Sequence, residues 1–343
     1  MSDKQLVIVT GASGFIALHA ITQLLAAGFA VRGTLRDTSR AEDLSVALSR
    51  HCDISALSFA EADLLDDAGW DEAMVGATYL LHMASPLPIA TPRDENDLIV
   101  PARDGALRAI RAAAKAGVTR IVMTSSIAAI YGGQDKNIFL DENYWSDVTQ
   151  SIGAYPKSKT MAEQAAWEYI RSLDDKTRPE FVSINPGFVL GPLIAAKTSA
   201  SHEVVRRLIA REVPGIPDIG FNLVDVRDVA SAHVEALRRD AAPKNRYICI
   251  TELLSLRQIA EQLQIHLGPR GYKIPTRHVP DWVIRLIAIF NPSLKVAAER
   301  LGPSHRYDTS HVRSDLDWRP IPMHQSILDT ADSLIDLKII DPQ

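Results

Sequence analysis

Cysteine is almost absent from this sequence, since Cys52 and Cys249 are the only two among 343 residues. They stand far apart, with no Cys-x-x-Cys pair and no Cys/His spacing typical of zinc ligands, which excludes a disulfide framework and a cysteine-based metal centre. We interpret both as ordinary thiols of a reducing compartment. The sequence therefore predicts a cytoplasmic protein with no bound metal.

Long apolar runs are also missing. The most apolar late stretch, Trp282–Phe290, contains Arg285 and is far shorter than the roughly 20 residues that cross a bilayer. It predicts an amphipathic helix packed on the body of the protein. The first residues, Met1–Gln5, are too short and polar for a signal peptide. We expect no membrane association.

An excess of positive charge is absent as well. The 37 Lys and Arg residues are outnumbered by 42 Asp and Glu residues, so the formal net charge is −5, with both signs mixed along the chain. This balance argues against nucleic acid or an anionic membrane as a partner. Hydrophobic residues make up 46% and charged residues 23% of the chain, which is typical of a globular enzyme.

What the sequence does contain is a regular alternation of apolar runs and helical patterns in its first half. Helical periodicity follows the first run over Phe15–Ala27 and recurs over Val100–Ala116. Strands are predicted at Leu6–Val9, Ala30–Leu35, Leu57–Ala62, Tyr79–Ala84, Arg120–Thr124 and Phe181–Ile184. Strands alternating with helices form parallel sheets covered on both faces, so the predicted fold class is α/β, a doubly wound parallel sheet of the Rossmann type.

The second half has a different pattern, and 343 residues are many for one hydrophobic core. Pro- and Gly-rich loops and helices dominate it, apart from a helix beginning near Val226 and a strand at Arg246–Ile250. We therefore predict a dinucleotide-binding domain from residues 1–190 and 222–250. A smaller, mostly helical C-terminal substrate lobe would comprise 191–221 and 251–343.

A glycine-rich turn joins the first strand to the first helix, in the run Thr10-Gly11-Ala12-Ser13-Gly14-Phe15-Ile16-Ala17. Gly11 permits a tight turn, Gly14 lets the backbone approach a pyrophosphate, and Ala17 lets the helix pack closely on the strand. The N–H groups at the start of the helix then face the anion. The strand–turn–helix context favours a dinucleotide site over a plain turn before a helix. The predicted cofactor contacts here are Gly11, Ser13, Gly14, Phe15 and Ile16.

The end of the second strand indicates which dinucleotide binds. NAD sites place an acidic residue there to hold the ribose 2′-hydroxyl, whereas this strand ends in Leu35 and Arg36. Arg36 can meet a 2′-phosphate, and Arg40 can join it. The alternative is that Arg36 is only solvated and Asp37 reaches the ribose. The geometry favours NADP(H) as the cofactor.

Tyr155 and Lys159 open a helix at a spacing that places both on one face. A nearby ammonium favours the phenolate and lowers the pKa of a tyrosine, which suits it to proton transfer near neutral pH. Ser125 and Ser126 follow a strand, where ligands of open parallel sheets bind, and we favour Ser126 as the donor to a carbonyl oxygen. The alternative for the pair is a core-facing Tyr beside an exposed Lys.

With these motifs, nearly the whole sequence resembles the extended short-chain dehydrogenases/reductases, specifically the dihydroflavonol-4-reductase branch with its aldehyde and ketone reductases. The resemblance also rests on four further segments: His82–Pro86, Thr124–Ser126, Asn185–Pro192 and Val224–Ala230. The stretch Ser310–Pro320 adds to it.

The resemblance implies roles for particular residues. It implies a Ser-Tyr-Lys triad at Ser126, Tyr155 and Lys159, with Lys159 also holding the ribose. Around the cofactor it implies Arg36 at the adenosine phosphate, Asp63 and Leu64 near the adenine, Ala84 and Ser85 on the ribose side, Thr124 at the strand end, Pro186 and Val189 at the nicotinamide, and Ser199 or Ser201 at a phosphate.

Departures from the family pattern bear on the substrate. Tyr131 stands where plant flavonoid reductases carry an Asn that reaches substrate hydroxyls, which disfavours dihydroflavonols and suits a simpler aryl or alkyl carbonyl. Ser151–Ala154 replaces the cysteine-containing signature of cinnamoyl-CoA reductases, so we do not expect a CoA thioester. The predicted substrate contacts are Ser85, Tyr131, Phe188 and Phe221.

The predicted activity is NADPH-dependent reduction of an aldehyde or ketone to an alcohol, reversible as alcohol oxidation, by a monomer or homodimer. The predicted substrate is a small, partly apolar or aromatic carbonyl compound. Two alternatives stay open: a sugar-nucleotide epimerase or dehydratase of the same superfamily, and a non-catalytic dinucleotide-binding regulator. The end of the second strand disfavours the first, and the intact Tyr/Lys pair disfavours the second.

Overall fold

The computed structural model describes residues 4–86, 94–213, 215–290, 301–302 and 304–340. The strands are β1 Leu6–Val9, β2 Ala30–Leu35, β3 Leu57–Glu61, β4 Tyr79–His82, β5 Arg120–Thr124, β6 Phe139–Leu140, β7 Glu180–Pro186, β8 Phe188–Leu190, β9 Gly220–Asp225, β10 Arg246–Cys249, β11 Glu252–Ser255 and β12 Arg306–Tyr307. The helices are α1 Phe15–Ala26, α2 Ala41–Ser49, α3 Trp70–Met74, α4 Asn96–Lys115, α5 Ala128–Tyr131, α6 Ala154–Ser172, α7 Ala200–Ile209, α8 Val226–Arg238, α9 Leu256–Leu267, α10 Asp281–Phe290, α11 Ser310–Asp315 and α12 Met323–Asp336.

Seven strands form the central sheet in the order β10-β7-β5-β4-β1-β2-β3, and every neighbouring pair is parallel. The sheet is built outward from β1 in both directions, which leaves a crevice beyond the carboxyl ends of β1 and β4. Strand residues such as Ile8, Leu80 and Ile121 are fully buried, as expected for a sheet covered on both faces. The predicted doubly wound Rossmann sheet is confirmed.

Helices cover both faces of this sheet. Helices α1 and α8 pack together over one hydrophobic cluster, and α4 packs with α6 over another. Helix α8 begins at Val226, as predicted. Helix α4 begins at Asn96, one turn before the predicted Val100. Pro101 therefore lies in the second turn of the helix and not at its start. Proline at that position removes one backbone hydrogen bond without ending the helix.

A third hydrophobic cluster surrounds a small sheet with the strand order β11-β9-β8. Strand β9 pairs parallel with β8 and antiparallel with β11, while helices α7, α9 and α12 pack nearby. The segment 220–225 thus lies in the small sheet, whereas β10 returns to pair with β7. Strand β8 has only three residues, and the first two of the four residues of β11, Glu252 and Leu253, are exposed, so neither strand forms a clear apolar run.

The late apolar stretch forms helix α10, in agreement with the predicted helix. Ile284 is buried, but Trp282, Leu286 and Ile287 are exposed, so this helix packs along a narrow stripe. None of the helices within the described ranges is long and apolar enough to cross a membrane.

Candidate active site and cofactor site

The predicted site residues meet beyond the carboxyl ends of adjacent strands. Gly11 follows β1, Ala84 follows β4, Ser126 follows β5, and Pro186 ends β7. These four strands are neighbours in the sheet, in the order β7-β5-β4-β1. Open parallel sheets bind ligands at this position, so the topology itself brings the glycine-rich turn and the serine into one crevice.

The glycine-rich turn fits a bound phosphate. Gly11 has φ +66°, and a Cβ there would lie 3.0 Å from the Cβ of Ala84, so only glycine fits. Its N–H donates to Thr34 Oγ1 at 3.2 Å, which fixes the turn on β2. Helix α1 starts after Gly14 with no side chain capping it. Its first N–H groups can therefore bind an anion.

Thr10 links this turn to the end of β4, a role that the sequence analysis missed. Its Oγ1 accepts hydrogen bonds from the N–H groups of Met83 and Ala84, both at 2.9 Å. The Thr10 hydroxyl therefore donates to His82 Nδ1, 3.1 Å away. Burial and the charge of Lys159 lower the pKa of His82 to about 3, so its ring is neutral. The neutral pair holds Ala84 against Gly11.

The adenosine side of the site is basic. Arg36 and Arg40 are exposed beyond β2. Partial burial, followed by the charges of Arg40 and Arg36, lowers the pKa of Lys197. The Asp37 carboxylate instead accepts a hydrogen bond from the N–H of Ser39 at 2.9 Å. This arrangement agrees with a phosphate-binding Arg36 better than with a ribose-binding Asp37.

The loop that carries Asp63 and Leu64 is held against α4. Arg108 donates to the Leu64 carbonyl at 2.8 Å, and Trp70 Nε1 donates to the Asp63 carbonyl at 2.9 Å. A Cβ at Gly105 would lie 2.8 Å from the Cβ of Leu64. Gly105 therefore makes room for the loop predicted to lie near the adenine.

The two adjacent serines after β5 have different environments. The Ser125 hydroxyl donates to Glu163 Oε2 at 2.6 Å and is committed to that buried carboxylate. Ser126 Oγ accepts a hydrogen bond from the N–H of Ala128 at 3.1 Å, which leaves its proton for donation. Asn185 Nδ2 donates to the Ser126 carbonyl at 3.2 Å and fixes its backbone. These contacts favour Ser126 as the hydroxyl that polarises a substrate.

Tyr155 and Lys159 lie on one face of α6, with the Lys159 ammonium 6.0 Å from the centre of the Tyr155 ring. Lys159 is almost wholly buried, which lowers its pKa to about 8, while the nearby Glu163 carboxylate favours the charged form. The predicted alternative of an exposed Lys is wrong. A buried lysine with a perturbed pKa in a crevice is typical of a functional site.

A buried ion pair joins α6, one turn beyond Lys159, to strand β10. Arg246 Nε donates to Glu163 Oε1 at 2.7 Å, and both side chains are shielded from solvent. Glu163 also accepts from Ser183 and Asn185, while Arg246 donates to the carbonyls of Glu142 and Tyr144. Burial opposes the charged carboxylate, but the charge and hydrogen bond of Arg246, together with hydrogen bonds from Ser125 and Ser183, lower the pKa of Glu163. No local sequence pattern pointed to either residue.

Aromatic side chains line the region predicted for the substrate. Tyr131 stacks on His305 with ring centres 5.6 Å apart. The ring centres of Phe188 and Phe221, on neighbouring strands of the small sheet, are 4.6 Å apart, and Phe221 is largely buried. Ser85 is exposed beside Ala84. His305 was not predicted, because the fold alone brings it next to Tyr131.

Two other predicted cofactor contacts already have partners. Thr124 Oγ1 lies 2.7 Å from His233 Nε2, and since His233 Nδ1 donates to the Val229 carbonyl, the Thr124 hydroxyl is the donor. Ser199 Oγ lies 2.7 Å from His202 Nδ1 at the start of α7. Val189 and Pro186 lie in β8 and at the end of β7. Within the described ranges, no cluster of three or more His, Cys, Asp or Glu residues could hold a metal.

The chain also matches the model of a known protein family. The model of the NAD-dependent epimerase/dehydratase family matches residues 7–250, which include the glycine-rich turn and the Ser126, Tyr155 and Lys159 positions. The chain belongs to this family.

Members of this epimerase/dehydratase family with known activities resemble the chain over most of its length. It is 34% identical over 273 residues to cinnamoyl-CoA reductase 1 of Oryza sativa subsp. japonica, covering 78% of this chain and 77% of that protein. It is 32% identical over 272 residues to dihydroflavonol 4-reductase of Arabidopsis thaliana, covering 77% and 70%. The predicted resemblance to this reductase branch is confirmed.

One solved structure resembles the chain over almost its whole length. Yeast methylglyoxal/isovaleraldehyde reductase Gre2, complexed with NADPH, matches with a TM-score of 0.83 at 26% identity, covering 97% of this chain and 99% of that one. The NADPH in that complex agrees with the cofactor predicted from Arg36. The relatives agree with a dinucleotide-dependent reductase.

Proposed function

We propose that the protein reduces an aldehyde or ketone to an alcohol with NADPH. The proposal is carried by the buried Lys159 next to Tyr155 on α6 and by the Ser126 hydroxyl after β5, at the same sheet edge as the glycine-rich turn after β1. The dinucleotide supplies a hydride when it is bound. Gly11 and the start of α1 hold its pyrophosphate, and Arg36 holds its 2′-phosphate.

The chain's own groups handle the proton and the charge of the reacting oxygen. Ser126 donates a hydrogen bond to the carbonyl oxygen and stabilises the negative charge that develops there. Tyr155 transfers its phenolic proton to the same oxygen. The Lys159 ammonium stabilises the phenolate that remains and holds the ribose hydroxyls.

In this proposal the substrate surface comes from both predicted domains: Tyr131 and Phe188 lie within residues 1–190, and Phe221 lies within 191–221. The walls would be aromatic, since the half-buried ring of Phe188 packs on the largely buried ring of Phe221 with ring centres 4.6 Å apart, and Tyr131 stacks on His305. Such walls suit a partly apolar or aromatic carbonyl compound, because burying its apolar surface favours binding.

The direct test is NADPH oxidation against a panel of aryl ketones, α-keto esters and aldehydes, with NADH in parallel. We expect turnover with NADPH and much slower turnover with NADH. Turnover with NADH alone would contradict the role of Arg36. Absence of turnover with cofactor still bound would reject the reductase and favour an epimerase, a dehydratase or a non-catalytic regulator.

A pH profile tests Lys159. Because its pKa is about 8, the ammonium is present below that pH and is lost above it. We expect kcat/KM for reduction to fall as pH rises through about 8, since this quantity reports groups of the free enzyme. Lys159→Met should remove this inflection, whereas Lys157→Met on the same helix should keep it. A wild-type profile that is flat up to pH 10 would refute the assignment.

Stability should follow the opposite trend over the same range. Burial lowers the pKa of Lys159 from its usual 10.5, so between about pH 8 and 10.5 the unfolded chain holds a proton that the folded chain has lost. The contribution of Lys159 to the free energy of unfolding therefore rises with pH across that window. Urea denaturation of the wild type and Lys159→Met at pH 7 and 9.5 measures this difference.

A further inference from the structure

Lys197 reaches the glycine-rich turn from the loop that connects β8 to α7. Its Nζ donates to Ser13 Oγ at 3.3 Å and lies 3.5 Å from the Ser13 carbonyl. The two residues are 184 positions apart in the sequence. A cation from the far half of the chain thus lies beside the anion-binding start of α1.

The fold fixes the loop that carries Lys197. At its start, His19 on α1 hydrogen-bonds the Pro192 carbonyl at 2.8 Å. At its end, the rings of Phe15 and His202 meet edge-to-face at 4.2 Å. Both contacts are made to α1, whose first residues form the glycine-rich turn. The packing therefore fixes the two ends of the loop on α1, and the exposed side chain of Lys197 extends from this loop to the turn.

The end of β2, which leads into Arg36 and Arg40, is held on the same turn, because Thr34 accepts hydrogen bonds from Gly11 at 3.2 Å and Ala12 at 3.0 Å. Partial burial and then the charges of Arg40 and Arg36 disfavour the protonated form of Lys197. None of the ion pairs formed within the described part of the chain includes any of these three residues. The neighbouring Asp37 carboxylate is engaged with Ser39. Three like charges without a paired carboxylate repel one another, and a dianionic phosphate among them would relieve that repulsion.

We propose that Lys197 is a third cation of the 2′-phosphate site, and that the bound phosphate holds the loop 191–199 on the glycine-rich turn. This inference rests on the proposed NADP(H) dependence. It makes selection of NADP(H) over NAD(H) a property of both lobes: Arg36 and Arg40 come from the β2 side, and Lys197 comes from the loop leading to α7. The 2′-phosphate thereby fixes the loop that begins directly after β8.

Two nucleotide fragments test the inference without any substrate. Titration calorimetry with 2′,5′-ADP and 5′-AMP compares ligands that differ only in the 2′-phosphate. We expect Lys197→Gln to weaken binding of 2′,5′-ADP about ten-fold, the effect of one charge-assisted hydrogen bond, and to leave 5′-AMP almost unchanged. Lys197→Arg should retain most of the affinity. The matched control is Lys176→Gln, because Lys176 is an exposed lysine shortly after the end of α6.

The outcomes separate this inference from the proposed function. Wild-type protein that binds both fragments equally well would reject NADP(H) dependence itself. A wild type that prefers 2′,5′-ADP, with Lys197→Gln either unchanged or weakened equally for both fragments, would reject only the role of Lys197.

Hydrogen exchange provides a readout that does not depend on affinity. At saturating 2′,5′-ADP, the backbone amides of residues 191–199 should exchange more slowly in the wild type, and this protection should be reduced in Lys197→Gln. Saturating 5′-AMP should give little protection in either protein. Equal protection of both proteins by 2′,5′-ADP would overturn the proposed link between the phosphate and the loop.

Discussion

Tyr155→Phe is expected to lower kcat by about 10²–10⁴-fold, the range that a positioned general acid contributes. The substitution removes one hydroxyl and keeps the ring whose centre lies 6.0 Å from the Lys159 ammonium. NADPH binding should change little, because Lys159 and the glycine-rich turn are intact. The measurement is NADPH oxidation with the best carbonyl substrate of the panel, beside NADPH binding followed by fluorescence.

Tyr169→Phe on the same helix is the matched control, because Tyr169 lies beside Arg111 on the part of α6 remote from the crevice. It should keep wild-type kcat and cofactor affinity. Full activity of Tyr155→Phe would remove Tyr155 from the mechanism. Equal losses of kcat and cofactor affinity would assign it a binding role instead.

Glu163→Ala is expected to reduce the free energy of unfolding by about 3–5 kcal/mol, the usual cost of removing one partner of a buried ion pair. Arg246 would keep its charge in a site that is only 8% exposed, and Ser125, Ser183 and Asn185 would lose their shared acceptor. Urea denaturation at pH 7 gives the change directly.

Glu168→Ala, an exposed acid on the same helix, should change stability by no more than about 0.5 kcal/mol. A double variant with Glu163→Ala and Arg246→Met should lose less than the sum of the two single losses, because the pair is then removed together. Additive losses would show that Glu163 and Arg246 do not stabilise each other. A Glu163→Ala protein as stable as the wild type would contradict the buried network.

The central sheet could be predicted from the sequence because its strands are buried on both faces and read as apolar runs. Strand β1 was predicted at its observed bounds, and helix α8 at its observed start. A short strand at Phe221 was predicted, but its partners β8 and β11 in the small sheet were missed, and β8 has only three residues. The residues Glu252 and Leu253 are also exposed, so burial left no signal there.

The candidate site, too, could be predicted only in part. The Tyr155/Lys159 pair and the turn around Gly11 were predicted from local spacing, and Ser126 from its place after a predicted strand. The preference for Ser126 over Ser125 became physical only when the structure placed Glu163 against the Ser125 hydroxyl. The pairing of Lys197 with the turn, and of Glu163 with Arg246, joins residues 184 and 83 positions apart and carries no local pattern.

The separation of Glu163 from Arg246 has a consequence for synthesis of the chain on the ribosome. Glu163 emerges 83 residues before its partner. At about 5–20 residues per second, roughly 4–17 s pass before Arg246 is made, and longer before it clears the exit tunnel. During that interval α6 cannot bury its carboxylate against an opposite charge. The nascent chain therefore cannot complete the buried ion pair of α6 until β10 joins the edge of the sheet beside β7.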